Sequence, residues 1–303
     1  MRDFALRNHL LSFLVDLTTR LKRSDHTVES YARDISQFFS YVIESSGENP
    51  SPSDWSLPVI RGYLHDLAAR GQSPSTIERK RASLSEFSKY LVRHSVVDKN
   101  PLQQIRGPKV KKPLPAVMDE QSVLEALTDP KGSDFASVRD RALLELLYGS
   151  GLRISELLSL TPQDIDQVRG TVRVMGKGRK ERIVPLSSAA KSALAEYAHA
   201  HSEFIAKHSH VNNALWLSDL GRILTRYRAY RIVHKYLMRA GGAKASPHVM
   251  RHCYATHLLD HGADLRAVQE LLGHTNLSTT EKYTHVSAQR LKEAYEQAHP
   301  HSE

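Results

Sequence analysis

The strongest constraint on the fold is a nine-residue break, Gly107-Pro108-Lys109-Val110-Lys111-Lys112-Pro113-Leu114-Pro115. Three prolines in so short a run leave no room for a helix or a paired strand, and three lysines resist packing into a core. A chain of 303 residues is long enough to bury a core on either side of such a break. The run predicts a first domain over residues 1–106, a linker over 107–115 and a second domain over 116–303. As a basic extended segment, the linker serves equally well as a solvated connector or as a strand laid along a nucleic-acid backbone.

The two sides differ in pattern. Before the break, Leu6, Leu10, Phe13, Leu14 and Leu17 recur at helical spacing, as do Tyr31, Ile35, Phe38, Phe39 and Val42 after a start at Ser24-Asp25-His26-Thr27. A third helix is predicted near Val59 to Arg70. A fourth is opened by Ser73-Pro74-Ser75-Thr76, where a hydroxyl can cap exposed amides and proline suits the first turn. After the break, helices are predicted at Glu120–Leu127, Ser137–Tyr148, Ser155–Leu160, Ser187–His201, Arg226–Ala240, Pro247–His261 and Leu265–Leu272. Thr171–Met175 alternates like a strand, with Glu181–Leu186 as its partner across a Gly- and Lys-rich turn. The fold class expected is mainly α with a small β-sheet: a helical domain followed by a mixed α/β domain.

Charge points to a polyanionic partner. The formal net charge is +9, and residues 1–115 hold 18 Lys/Arg against 12 Asp/Glu while the remainder holds 24 against 21. The excess sits mainly in the first third, as expected if a separate domain grips nucleic acid. One cysteine, Cys253, excludes an internal disulfide and a Cys-cluster zinc site. No apolar run approaches the roughly 20 residues needed to cross a bilayer, and Met1-Arg2-Asp3-Phe4 does not open a signal peptide. A cytoplasmic protein with no membrane partner is expected.

The chemistry concentrates in four segments. Ser246 and Pro247 open a helix that places His248 and Arg251 at i and i+3, on one face, at the end whose partial positive charge attracts anions. Arg153 follows the glycines of Tyr148-Gly149-Ser150-Gly151-Leu152, where a backbone can approach closely; a guanidinium there can fork onto a phosphate or pair with Glu156. Lys177 lies in the hairpin turn between Gly176 and Gly178 and can protonate a departing oxygen, a role open also to Arg179 and Lys180. His274 follows Leu271-Leu272-Gly273, and Tyr283 lies nine residues on. A phenol with a pKa of about 10 is a poor nucleophile unless cations favour the phenolate. By itself Tyr283 reads as a half-buried packing residue. No metal-ligand spacing accompanies these residues, and no cofactor is expected.

Taken together, Arg153, Lys177, His248, Arg251, His274 and Tyr283, with flanks Tyr148–Leu157, Gly176–Leu186, Ser246–Leu259 and Leu271–Val286, resemble the active site of the tyrosine recombinase (phage integrase) family, most closely its bacterial Xer branch. The resemblance spans most of the chain. It implies a SAM-like, core-binding helical domain and a catalytic domain that close as a clamp on a double-stranded DNA recombination site. It further implies attack by Tyr283 to give a 3′-phosphotyrosyl intermediate, exchange through a Holliday junction, and no metal or ATP. Four protomers would form a tetrameric synaptic complex, of one subunit type or with a second homologous recombinase, with the tail from Ser287 to Glu303 docking on a neighbour. Resolution of chromosome or plasmid dimers at cell division, with a septal DNA translocase as activator, is the role expected from the Xer likeness. Integration of a mobile element and type IB topoisomerase-like nicking and closing are the alternatives. One departure is Tyr254, where the family often has Phe, expected to lie away from the chemistry.

Overall fold

A computed structural model describes residues 5–108, 117–176, 181–208, 214–273 and 298. The chain divides into two compact units, Met1–Pro113 and Leu114–Glu303; most of the proposed linker lies outside the described residues.

In the first unit the helices are α1 (Ala5–Thr19), α2 (Asp25–Ser46), α3 (Leu57–Ala69) and α4 (Pro74–Arg93). The α4 start forms as the sequence predicts: Pro74 sits in the first turn and Ser73 accepts a hydrogen bond from the Thr76 amide. Their apolar faces meet in an aromatic core. Trp55 packs edge-on against Phe38 and Phe87 at 5.1 Å in each case, and its indole N–H donates to Ser88 Oγ at 3.0 Å. One carboxylate is buried in this unit's helix packing. Asp34 on α2 is held from α4 by Arg79, by Ser83 Oγ at 2.8 Å and by Lys80 Nζ at 3.7 Å.

The second unit contains α5 (Glu120–Thr128), α6 (Phe135–Ser150), α7 (Ile154–Leu158), β1 (Ile165–Asp166), β2 (Thr171–Met175), β3 (Glu181–Pro185), α8 (Ser188–Lys207), α9 (Arg226–Arg239), α10 (Pro247–Asp260) and α11 (Leu265–Leu272). Helix α6 is its centre, buried on nearly every side from Val138 to Ser150, which is why its sequence shows no clean amphipathic stripe. At Gly149 it runs so close to α8 that an added Cβ would come within 2.8 Å of Ser187 Oγ.

The three strands form an antiparallel sheet in the order β1-β2-β3. The two-residue β1 is an addition to the predicted hairpin. Val172 and Val174 face the core, opposite Val184 and Arg182 respectively. Cross-strand partners share a face, so the register turns Arg182 inward and leaves Ile183 half exposed. The mainly α architecture with a small sheet is the one expected. Among the described residues, no helix is long and apolar enough to cross a membrane.

Candidate active site

The inward turn of Arg182 is the first step in building the site. A guanidinium in a core needs a counter-charge, and Glu156 supplies it. Arg182 Nη1 and Nη2 donate to Glu156 Oε1 (3.1 Å) and Oε2 (2.8 Å), while Nε donates to the Leu271 carbonyl (3.1 Å). Both side chains are almost inaccessible, each at 7% of its full exposure.

Arg153 reaches the same carboxylate from the start of α7. Helix α6 ends at Gly151 in the left-handed region, φ 56°, and a Cβ there would collide with the Tyr254 ring, so only glycine suits the turn. The chain then enters α7 with Arg153 as its cap residue. Its backbone N–H donates to Glu156 Oε2 (2.9 Å) and its Nη1 to Oε1 (2.7 Å). With 39% of its side chain exposed, Arg153 is anchored at one edge and open to solvent at the other.

Arg251 comes from α10. Ser246 caps that helix through the Val249 amide (3.3 Å), and Pro247 occupies its first turn. Arg251 is 7% exposed. Its Nη1 donates to the Gly151 carbonyl and its Nη2 to the Leu272 carbonyl, both at 2.5 Å, and Nη1 lies 3.8 Å from Glu156 Oε2. Leu272 ends α11, and Gly151 caps α6, so this guanidinium satisfies carbonyls at two helix C-termini, where the helix dipole favours a cation. His248 lies one turn earlier on α10, exposed to solvent.

The electrostatics follow from this crowding. Burial alone would raise the Glu156 pKa, but the Arg182 hydrogen bonds, the Arg153 amide and the two guanidiniums prevail and hold it down at about 2. Arg251 shows the opposite balance: burial and the neighbouring Arg153 charge lower it to about 10, against the pull of Glu156. Three guanidiniums share one carboxylate, so the cluster keeps an unneutralised positive charge. That is the arrangement expected of a site awaiting an anion.

The structure therefore brings Arg153 and Arg251 together, with His248 one turn from Arg251 on the same helix. Lys177, His274 and Tyr283 lie outside the described residues; the flanking elements are seen, with β2 ending at Met175 opposite Glu181 and α11 closing at Gly273 in the left-handed region, φ 66°. Two members of the cluster are not singled out by the sequence. Glu156 enters there only as a possible partner of Arg153, and Arg182 only as a strand residue; the hairpin register is the signal that could have placed Arg182. Tyr254 also lies closer than expected, with its buried ring beneath the Gly151 turn. Beyond Gly273 the structure describes Ala298, which is buried in the core of its own unit.

Comparison with known proteins agrees along most of the chain. Residues 116–290 match the phage integrase family and residues 10–95 the phage integrase N-terminal SAM-like domain. The chain is 40% identical to a Tyrosine recombinase XerC of Pelotomaculum thermopropionicum, covering 96% of this chain and 98% of the relative. It is 40% identical to a Tyrosine recombinase XerD of Oceanobacillus iheyensis, covering 91% and 93%. Among solved structures, the XerH site-specific recombinase bound to palindromic difH substrate shares the fold, with a TM-score of 0.63 at 24% identity over 89% of this chain and 79% of that one. A match of both family domains together with near-full-length identity places this chain in the phage integrase family, as a tyrosine-type site-specific recombinase.

Proposed function

We propose that this recombinase acts through six residues: Arg153, Lys177, His248, Arg251, His274 and Tyr283. The observation that carries the reading is the convergence of Arg153 and Arg251 on Glu156, in a cluster with more positive than negative charge. In this reading the two guanidiniums hold the scissile phosphate, and His248 and His274 assist. Tyr283 Oη attacks phosphorus, the bond from phosphorus to the 5′ oxygen breaks, and Lys177 passes a proton to that oxygen as His248 accepts the phenolic one. The products are a 3′-phosphotyrosyl link and a free 5′-hydroxyl. A partner strand's 5′-hydroxyl then reverses the step on new DNA, conserving the bond count.

The domain assignment is part of the same proposal: residues 1–106 grip DNA, 107–115 connect, and 116–303 catalyse. The basic excess before residue 115 supports it, as does the shared fold with XerH, a recombinase solved on its difH substrate. The proposal extends to exchange through a Holliday junction in a tetramer, with one or two recombinase types, to resolution of chromosome or plasmid dimers at cell division, and to activation by a septal translocase; the 40% identity to XerC and XerD relatives supports it.

A nicked suicide duplex carrying a candidate site from the source genome tests the core of this reading. Wild type is expected to form a covalent adduct through the DNA 3′ end on a denaturing gel, and Tyr283→Phe to form none. An adduct that persists in Tyr283→Phe, or salt-sensitive binding without any adduct, would overturn the assignment. Exchange between two differently labelled sites then separates recombination from topoisomerase-like closing.

A further inference from the structure

Helix α10, which carries Arg251, also carries a second polar chain that the reaction above does not use. Its centre is His257, buried on α10 six residues after Arg251. Nε2 of His257 lies 2.9 Å from the Met118 carbonyl oxygen, and Nδ1 lies 2.9 Å from the Tyr148 hydroxyl. A carbonyl can only accept, so the hydrogen belongs on Nε2 and Nδ1 accepts from Tyr148. Burial pushes the Tyr148 phenol above its ordinary range, which keeps that hydroxyl protonated and donating. Both imidazole nitrogens are satisfied in the neutral ring.

The two ends of this chain explain its interest. Met118 lies near the start of the catalytic unit, and both its backbone groups are held. Its N–H donates to Cys253 Sγ (3.2 Å), its carbonyl accepts from His257, and its sulfur lies where a Cβ on Gly242 would come within 2.9 Å. Cys253 and His257 stand at i and i+4, so one face of α10 holds both backbone groups of that residue. At the other end, Tyr148 lies on the last turn of α6, three residues before Gly151 and five before Arg153. The Gly151 carbonyl is the one that accepts from Arg251, also on α10. A single helix thus touches the Met118 segment and the turn that aims Arg153.

We infer that His257 is a positioning residue that couples the Met118 segment, near the start of the catalytic unit, to the Gly149–Arg153 turn, so that a displacement of that segment reaches the phosphate clamp. The inference rests on the reading of Arg153 and Arg251 as that clamp. A buried polar network that merely stabilised the core would not relate these two segments in particular.

The test uses the full chain with His257→Leu, His257→Gln and Tyr148→Phe, and two readouts. The first is backbone amide exchange without DNA; the second is single-turnover cleavage of the nicked duplex at saturating concentration. Losing a buried hydrogen bond is expected to speed local exchange about tenfold or more. In His257→Leu this should occur in both 118–123 and 149–156 while α8 keeps its protection, and cleavage should slow by a similar factor at unchanged DNA affinity. Tyr148→Phe removes the bond on the turn side and leaves the one from His257 to Met118, so it should loosen 149–156 and slow cleavage with 118–123 still protected. His257→Gln can still donate to Met118 and should restore 118–123 first. Wild-type exchange and cleavage in Tyr148→Phe would overturn the coupling, as would His257→Leu loosening 118–123 alone. Should the Leu variant unfold, the two conservative variants decide. If wild type itself fails to cleave, the clamp reading fails, while the exchange data still judge the coupling.

Discussion

Asp34 in the helical unit is fully buried and held from α4 by Arg79, Lys80 and Ser83; Glu156 in the catalytic unit is almost as buried and held by Arg153, Arg182 and Arg251. Both are carboxylates among cations, yet they are wired differently. The charged partners of Asp34 sit on one neighbouring helix, and their remaining bonds run back to α2: Arg79 to Ser30 at 3.1 Å and Lys80 to Gln37. The partners of Glu156 come from three elements, and two of them end on the carbonyls of Gly151, Leu271 and Leu272. The first arrangement fastens one helix to another. The second uses a carboxylate to fix the directions of guanidiniums that arrive from three elements.

That contrast can be broken by substitution. Glu156→Ala should have the largest effect, because it strands buried cations: about 3–5 kcal/mol of stability, together with loss of cleavage that saturating DNA does not restore. The same residue should mark the acid limb of the stability curve. Its folded pKa is depressed to about 2 from an ordinary 4.5, so its contribution is complete above pH 4.5 and disappears as pH falls from 4.5 towards 2. That contribution is about 3 kcal/mol, and Glu156→Gln should flatten this part of the curve when denaturant unfolding is followed against pH. Asp34→Ala should fall at the low end of the range given for Glu156→Ala, about 3 kcal/mol, because Lys80 stays buried but Arg79 is half exposed and regains water. It should leave the cleavage rate at saturating DNA near wild type; a large fall in that rate would erase the distinction between the two networks. The smallest effects compare two caps. Ser73→Ala and Ser246→Ala should each cost about 1 kcal/mol in thermal unfolding, but only the second should slow cleavage, since α10 carries His248 and Arg251.

How much of this is legible in the sequence depends on whether a signal is local. Ser73-Pro74 and Ser246-Pro247 announce their helices because capping chemistry acts within one turn. Helix α11 matches its predicted bounds because Asp264 caps it and Gly273 stops it. The pair β2 and β3 is readable from alternation, whereas β1 is two residues long and too short to alternate. Arg153, His248 and Arg251 stand out by their neighbours in sequence. Arg182 does not, because its role depends on the strand opposite: an arginine between Glu181 and Ile183 looks like an ordinary outward residue until pairing with Val174 sets its face. Glu156 is visible as a partner for one arginine; that it serves three is a property of the tertiary fold.

The Arg251 guanidinium spans the carbonyls of Gly151 and Leu272, which lie 100 residues before it and 21 after it. The gap between those two backbone segments is therefore set by the width of one planar group and not by the length of chain between them. Loops in the intervening hundred residues can lengthen, shorten or change composition without altering this spacing. Replacing Arg251 by Lys would keep the charge but remove the ruler, because a single ammonium cannot reach across with the same fixed fork.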